Sequence, residues 1–369
     1  MPIMIDAHED LAYNMLSYRR DYRRSAVETS ALETDAHDPE KGLTPLGWPD
    51  YQNGQVAVIF STLFAAPRRF STPADQKNVY DDANQAHELY MRQIDMYRRL
   101  CGENPDMFQL VTNRAELTRV LSAWEQEPAR YPEVTHPVGL VMLMEGADGV
   151  REPAELEEWW QAGLRLIGPS WLGARYCGAT NQPGPFTREG LELLERMSAL
   201  GFTLDLAHMS MESALQALDR YEGPIIASHA NARALIKGEQ GRWSERHLTD
   251  EAIRLLIERG GVIGLVPFNK FLDATWSVEQ GKSGVTLEHT VAAQIDHICQ
   301  LAGNANHVGF GTDFDGGFGA QSVPAEVDTI ADLQKIGPIL RKRGYTEGDI
   351  EAILGGNWRR HLEEHLPAA

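Results

Sequence analysis

The chain has 369 residues, of which 43% are hydrophobic and 24% charged, so it can bury a sizeable core and is not a disordered segment. Its 34 Lys and Arg residues against 53 Asp and Glu residues give a net charge of −19, which repels nucleic-acid phosphates and anionic membrane surfaces. Neither is an expected partner, and no apolar stretch reaches the roughly 18 residues that a membrane span needs.

Three widely spaced cysteines indicate a reducing compartment. Cys101, Cys177 and Cys299 are odd in number and form no C-x-x-C pair, so they predict neither a disulfide framework nor a cysteine metal site. The first residues carry acidic side chains where a signal peptide carries basic ones. We therefore expect a cytoplasmic protein.

Eight short apolar runs, most of them followed by a segment with helical periodicity, predict a parallel sheet of α/β type. In chain order the predicted strands span residues 2–6, 56–64, 138–144, 164–168, 202–206, 224–227, 262–266 and 307–311. Several runs are apolar on both faces, which is typical of parallel strands covered by helices.

The ends of the predicted helices are marked by capping residues. Thr249, Thr286 and Thr346 are expected N-caps, and the Gly-Gly pair at 260–261 is expected to end the helix that Thr249 starts. Eight alternating units without internal repeats or a Ser/Gly-rich linker favour one (β/α)8 TIM barrel that spans all 369 residues as a single domain. An open doubly wound sheet is the alternative.

One segment interrupts the alternation of strands and helices. Residues 17–55 carry charges, Pro and Gly, and they predict a long excursion between the first two strands. In a barrel enzyme this excursion leaves the C-terminal rim of strand one, where it can cover the mouth.

Histidine and carboxylate residues follow five of the eight predicted strands, at the end of a barrel where active sites lie. They are His8 and Asp10 after strand one, Glu145 after strand three, His208 after strand five, His229 after strand six and Asp313 after strand eight. These residue types ligate zinc and similar divalent ions. The first two stand two positions apart on a segment expected to be extended, so both side chains leave one face.

Each of these residues alone has an ordinary explanation, such as a surface ion pair or a neutral core histidine. Glu145 favours a metal site over these ordinary explanations, because a buried glutamate is rare unless it is paired or coordinated. Its two oxygens can bridge two cations, with the His-Asp pair on one and the two later histidines on the other. The set predicts a binuclear hydrolase site, in which a metal-bridging hydroxide attacks a carbonyl and Asp313 passes the proton to the leaving nitrogen.

Other enzyme classes have no support in the sequence. There is no G-x-G-x-x-G after a strand, no Walker-type loop and no G-x-S-x-G elbow, which argues against nucleotide-binding and serine-hydrolase functions. A metal-bearing binding protein is the non-enzyme alternative. It is disfavoured because Asp313 completes a catalytic set that binding alone does not require.

The same motifs resemble the membrane (renal) dipeptidase family of the amidohydrolase superfamily, in its soluble bacterial branch. The matching segments are D-A-H-E-D-L at 6–11, M-E-G at 144–146, D-L-A-H-M-S at 205–210, S-H-A-N-A-R at 228–233, G-T-D-F-D-G at 311–316 and G-G-N-W-R-R at 355–360. The resemblance covers nearly the whole chain. It implies a distorted barrel, two Zn²⁺ ions per chain, with other divalent ions as alternatives, and hydrolysis of a small dipeptide-like substrate.

The resemblance also implies a role for each site residue. The first zinc would be held by His8, Asp10 and Glu145, and the second by Glu145, His208 and His229. Asp313 would be the acid/base and would contact the substrate, while Glu145 would serve catalysis as the bridging ligand.

The expected substrate-binding residues are Arg246 and Trp171. The segment R-H-L-T-D at 246–250 resembles the family context of an arginine that holds the substrate carboxylate, and Arg233 and Arg242 are its rivals. Trp171 stands where dipeptidases carry a histidine at the end of strand four. This departure leaves open another small amide, lactone, lactam or N-acyl amino acid as the substrate, and a homodimer is also left open.

Overall fold

Eight parallel strands form a nearly closed barrel in the computed structural model, which describes residues 1–33, 42–71, 78–173, 175–236 and 244–368. In chain order the barrel strands are β1 (Met4–Glu9), β2 (Val56–Leu63), β3 (Val138–Glu145), β4 (Leu166–Gly168), β5 (Thr203–Asp205), β6 (Ile225–Ile226), β7 (Ile263–Leu265) and β8 (Val308–Phe310). Strand β8 pairs with β1 through Phe310 and Asp6, and a parallel bridge between Ala227 and Ile263 joins β6 to β7. The predicted TIM barrel is confirmed, and the open-sheet alternative is wrong because the β8–β1 pairing and the β6–β7 bridge together join the eight strands into a ring.

Strand β1 is longer at its C-terminal end than the sequence predicts. Its pairing with β2 continues past an irregularity to Glu9, which lies opposite Ser61. His8 therefore lies within the strand, and Asp10 follows directly after it. Glu145 is likewise the last residue of β3.

Three further short strands lie beside the barrel. Phe108–Leu110 pairs in parallel with the first half of β3, and Ala66–Pro67 pairs with Val79–Tyr80 just after β2. These three strands are not among those predicted above from the sequence.

The α-helices of the described residues surround this barrel. They span Leu11–Ser17, Ala26–Leu32, Trp48–Gly54, Ala83–Glu103, Arg114–Gln126, Leu156–Gln161, Arg188–Leu200, Met211–Arg220, Asp250–Glu258, Asn269–Leu272, Ala292–Ala302, Ile336–Lys342, Glu347–Glu351 and Asn357–His365. The predicted caps at Thr249, Thr286 and Thr346 are confirmed, since each side chain accepts a hydrogen bond from the backbone N–H three residues on. None of these helices has the length and apolar character of a bilayer span.

The last long helix packs tightly on β8, directly below the strand end that carries Asp313. The indole N–H of Trp358 donates to the backbone oxygen of Phe310 at 2.9 Å. A side chain at Gly309 would place its Cβ 2.4 Å from the same indole nitrogen, so glycine permits this close approach. The contact fixes β8 against the outer layer.

The excursion at 17–55 is tied to the loop that follows β8 by a buried ion pair. Arg20 Nη1 lies 2.8 Å from Asp315 Oδ1, and both side chains are buried. Tyr22 and Thr44 donate their hydroxyl protons to Asp315 Oδ2 at 2.6 and 2.7 Å. Residues 34–41 of the excursion lie outside the described residues, and the single-domain organisation stays a prediction.

Replacement of Arg20 by methionine is expected to lower the free energy of unfolding by about 3 to 5 kcal/mol, because the substitution leaves the buried Asp315 carboxylate without its cation. Urea unfolding followed by circular dichroism measures the loss.

The matched control is Arg23→Met. Arg23 pairs with Asp21 on the surface, so its replacement is expected to cost less than about 1 kcal/mol. Equal, small losses for the two variants would show that the Arg20 ion pair does not anchor the excursion.

Candidate metal centre

The C-terminal ends of five barrel strands bring the five predicted metal ligands and the predicted acid/base Asp313 into one buried cluster. They are His8, Asp10, Glu145, His208, His229 and Asp313. Parallel strands of a barrel all end at the same rim, so residues far apart in the chain meet there.

Three ligand atoms of this cluster converge on one point. Glu145 Oε1 lies 2.9 Å from His208 Nε2 and 3.4 Å from His229 Nε2, and the two histidine nitrogens are 3.0 Å apart. Adjacent ligands of a tetrahedral ion with bonds of about 2.1 Å are separated by about 3.4 Å. The spacing therefore fits three ligands of one divalent ion.

The other oxygen of Glu145 faces a different histidine. Glu145 Oε2 is 3.7 Å from His8 Nε2, which has no hydrogen-bond partner among the described residues. Ligand atoms of His8, Asp10 and Asp313 all lie within 4.8 Å of one another. One carboxylate thus stands between two groups of candidate ligands, which is the arrangement that a bridging glutamate would require.

A serine fixes the orientation and tautomer of His229. Ser228 Oγ donates to Asp205 Oδ2 at 2.5 Å and lies 2.7 Å from His229 Nδ1. Because the single hydroxyl proton is used on Asp205, the hydroxyl oxygen accepts the Nδ1 proton of His229. The Nε2 lone pair of His229 is then free for a metal, as in other histidine ligands held by an outer hydrogen bond.

Buried hydrogen bonds also hold the two aspartates. Thr62 donates to Asp10 Oδ1. Asp6 accepts the backbone N–H and the hydroxyl of Thr312 at 2.7 and 2.5 Å, which fixes the turn that presents Asp313. The sequence predicts no role for Asp6, Ser228, Thr62 or Thr312, although Asp6, Ser228 and Thr312 lie inside the matching motifs.

Two of the candidate residues have a left-handed backbone. The φ angles of His208 and Asp313 are 64° and 57°, a region that costs a residue with a side chain about 1 to 3 kcal/mol. Strain of this kind persists where the surrounding structure enforces it, and it is common at functional sites.

The carboxylates and histidines of the cluster shift one another's pKa values. Burial alone would lower the pKa of His8, but the negative charge of Glu145, with Asp10 and Asp313, raises it to about 9. Burial, and then repulsion from Glu145, raises the pKa of Asp10 to about 7. Burial and the nearby Arg246 lower the pKa of His208 to about 4. A bound cation would relieve the mutual repulsion of these buried carboxylates.

Arg246 lies beside the cluster, in a short turn at Ser244–Arg246 between β6 and the helix that starts at Asp250. It is buried, and its Nη1 donates to the backbone oxygen of His229 at 2.8 Å. Its Nε and Nη2 have no hydrogen-bond partner in the described part of the chain. A buried guanidinium with unpaired donors has the chemistry to bind an anion, because leaving buried donors unpaired is costly.

Neither of the two other arginines considered for carboxylate binding is among the described residues that are buried beside the cluster. Arg233 is half-buried in a turn at Arg233–Leu235. Arg242 lies outside the described residues.

Trp171 lies three residues after the end of β4. Its ring packs edge-on against Phe64, with centroids 4.8 Å apart, and its centroid is 6.4 Å from that of His208. The predicted position at the mouth of the barrel is therefore observed, next to a candidate ligand.

Comparison with known proteins gives the family. The profile of the membrane dipeptidase family (peptidase family M19) matches residues 1–367. An uncharacterized protein from the region 5′ of pqqA in Klebsiella pneumoniae is 30% identical over 266 residues, which cover 69% of this chain and 92% of that protein. Dipeptidase verJ of Clonostachys rogersoniana is 24% identical over 320 residues, covering 84% of this chain and 73% of that protein.

A solved structure confirms the fold. A metallopeptidase from Rhodobacter sphaeroides, crystallised with a phosphinate mimic of the dipeptide L-Ala-D-Ala, is 21% identical and superposes with a TM-score of 0.76. The match covers 99% of this chain and 100% of the other. With the family profile matching almost every residue, the chain belongs to the membrane dipeptidase family, peptidase family M19, and is a metal-dependent dipeptidase.

Proposed function

We propose that the chain hydrolyses dipeptides with two divalent ions, zinc in the native enzyme. The first ion would be held by His8, Asp10 and Glu145, and the second by Glu145, His208 and His229. The observation that carries the proposal is the position of Glu145, whose two oxygens face different histidines at 3.7 and 2.9 Å.

Divalent ions bound at such a site polarise a carbonyl group and lower the pKa of water. Asp313 would move the proton of the reaction. Its Oδ1 is 3.8 Å from His8 Nε2, so the carboxylate borders the ligand cluster. It accepts a proton from the attacking water and delivers it to the nitrogen of the leaving amino acid.

Arg246 selects the substrate by its free carboxylate. Its planar guanidinium can donate two parallel hydrogen bonds to a carboxylate, and two of its nitrogens lack partners among the described residues. The same guanidinium is hydrogen-bonded to the backbone of a candidate ligand, His229. A substrate carboxylate held by Arg246 would lie close to the metal centre, so that only one residue fits between it and the scissile bond. This arrangement favours dipeptides over longer peptides.

The cysteines support a cytoplasmic location. Cys101 and Cys177 are buried free thiols, and Cys299 is free and half-buried. A protein without disulfide bonds between its cysteines fits a reducing compartment.

Replacement of Glu145 by glutamine is expected to remove most bound metal and most dipeptidase activity, because it takes a negative ligand from both ion sites at once. Elemental analysis of purified wild-type enzyme should find two divalent ions per chain. The exposed Glu158 offers a matched control, and Glu158→Gln should keep both ions. Active wild-type enzyme with one ion or none would overturn the binuclear proposal.

Replacement of Arg246 by alanine is expected to weaken transition-state binding of a dipeptide by about 2 to 5 kcal/mol, since it removes the partner of the substrate carboxylate. The kcat/KM of the corresponding dipeptide amide, which lacks that carboxylate, should change much less. Arg233→Ala serves as the matched control and should leave both values near the wild type. Equal losses for the free acid and the amide in Arg246→Ala would show that Arg246 does not bind the carboxylate.

A further inference from the structure

A cluster of apolar side chains stands beside the metal centre. The cluster consists of Tyr13, Tyr18, Phe64, Ala66, Val79 and Trp171, and we call it the mouth cluster. Its aromatic rings contact one another in sequence, with centroid distances of 6.4 Å from Tyr18 to Tyr13, 5.3 Å from Tyr13 to Phe64 and 4.8 Å from Phe64 to Trp171. The members follow strands β1, β2 and β4, so the cluster lies on that side of the barrel mouth.

Some side chains of the mouth cluster are buried and others are partly exposed to solvent. Tyr13 and Phe64 are buried, whereas Tyr18, Val79 and Trp171 are half-buried. Apolar surface that stays accessible next to a reaction centre gains free energy when a ligand covers it. The mouth cluster therefore has the chemistry of a binding surface for an apolar group.

The mouth cluster is close enough to the metal centre to touch a bound substrate. The Trp171 centroid is 6.4 Å from that of His208. Gly146 directly follows Glu145, and a Cβ atom at Gly146 would lie 3.5 Å from Cβ of Trp171. A side chain that extends from an atom held near Glu145 spans this distance.

Arg246 and the mouth cluster lie on different sides of the metal centre. Arg246 is hydrogen-bonded to the backbone oxygen of His229, three residues after β6, whereas Trp171 follows β4 and packs against Phe64, which follows β2. In a dipeptide the scissile carbonyl belongs to the N-terminal residue, and the free carboxylate belongs to the C-terminal residue. With the carboxylate on Arg246 and the carbonyl at Glu145, the N-terminal residue extends toward Trp171.

We propose that the mouth cluster binds the side chain of the substrate's N-terminal residue, and that the enzyme prefers dipeptides with a large apolar residue at that position. This inference rests on the proposed function, because it uses Arg246 as the anchor of the carboxylate. It assigns Trp171 a role in specificity that neither the metal ligands nor Asp313 can supply.

Three dipeptides and two variants test the inference with metal-reconstituted enzyme. The kcat/KM of wild-type enzyme should be higher for Phe-Ala than for Gly-Ala by on the order of tenfold or more, since one phenyl ring is buried. Trp171→Ala should lower this ratio by about tenfold, whereas Trp171→Phe, which keeps an apolar ring, should retain it within about threefold. The reversed dipeptide Ala-Phe should show little effect of Trp171→Ala, since its phenyl ring lies on the Arg246 side.

A further variant tests the inference independently of whether Trp171→Ala folds. Tyr18→Ala removes another half-buried ring of the mouth cluster from a different element, and it should also lower the ratio of Phe-Ala to Gly-Ala. Circular dichroism establishes that each variant folds.

Other outcomes would overturn the inference. An unchanged ratio in both alanine variants would show that the mouth cluster does not contact the substrate, and an equal loss on Ala-Phe would place the C-terminal residue there. If wild-type enzyme hydrolyses none of the three dipeptides, the proposed function fails and this inference falls with it.

Discussion

A buried carboxylate surrounded by three histidines is the feature on which the rest of the site depends. Glu145 cannot remain charged in the barrel interior without partners, because transfer of a carboxylate out of water is costly. Its oxygens lie 2.9 to 3.7 Å from the Nε2 atoms of His8, His208 and His229. Asp10 and Asp313 add further negative charge close by. The cluster therefore has the donor set and the charge that divalent cations neutralise.

The residues around this cluster hold its side chains in fixed orientations. Ser228 and Asp205 select the tautomer of His229, and Asp6 with Thr312 holds the turn that carries Asp313. Outer hydrogen bonds of this kind keep ligands in place before the metal arrives and raise their affinity for it. The barrel supplies the frame, because its parallel strands end at one rim.

The strand pattern and the convergence of the candidate ligands could be predicted from the sequence for one physical reason. Buried parallel strands are short apolar runs, and the polar residues that end them, such as Glu145 and His229, stand out against those runs. The Arg20 ion pair with Asp315 could not be predicted, because its partners are far apart in the chain and only the fold brings them together. The contact of Trp171 with Phe64 could not be predicted from the sequence either, because it depends on how two loops pack.

The central claim is that Glu145 bridges two ions, and anomalous X-ray diffraction at the zinc absorption edge tests it most directly. Crystals of the zinc-loaded enzyme should show two anomalous peaks about 3.5 to 4 Å apart, with one oxygen of Glu145 facing each. One peak should lie beside His8, and the other beside His208 and His229. A single peak, or two peaks that do not contact Glu145, would contradict the account.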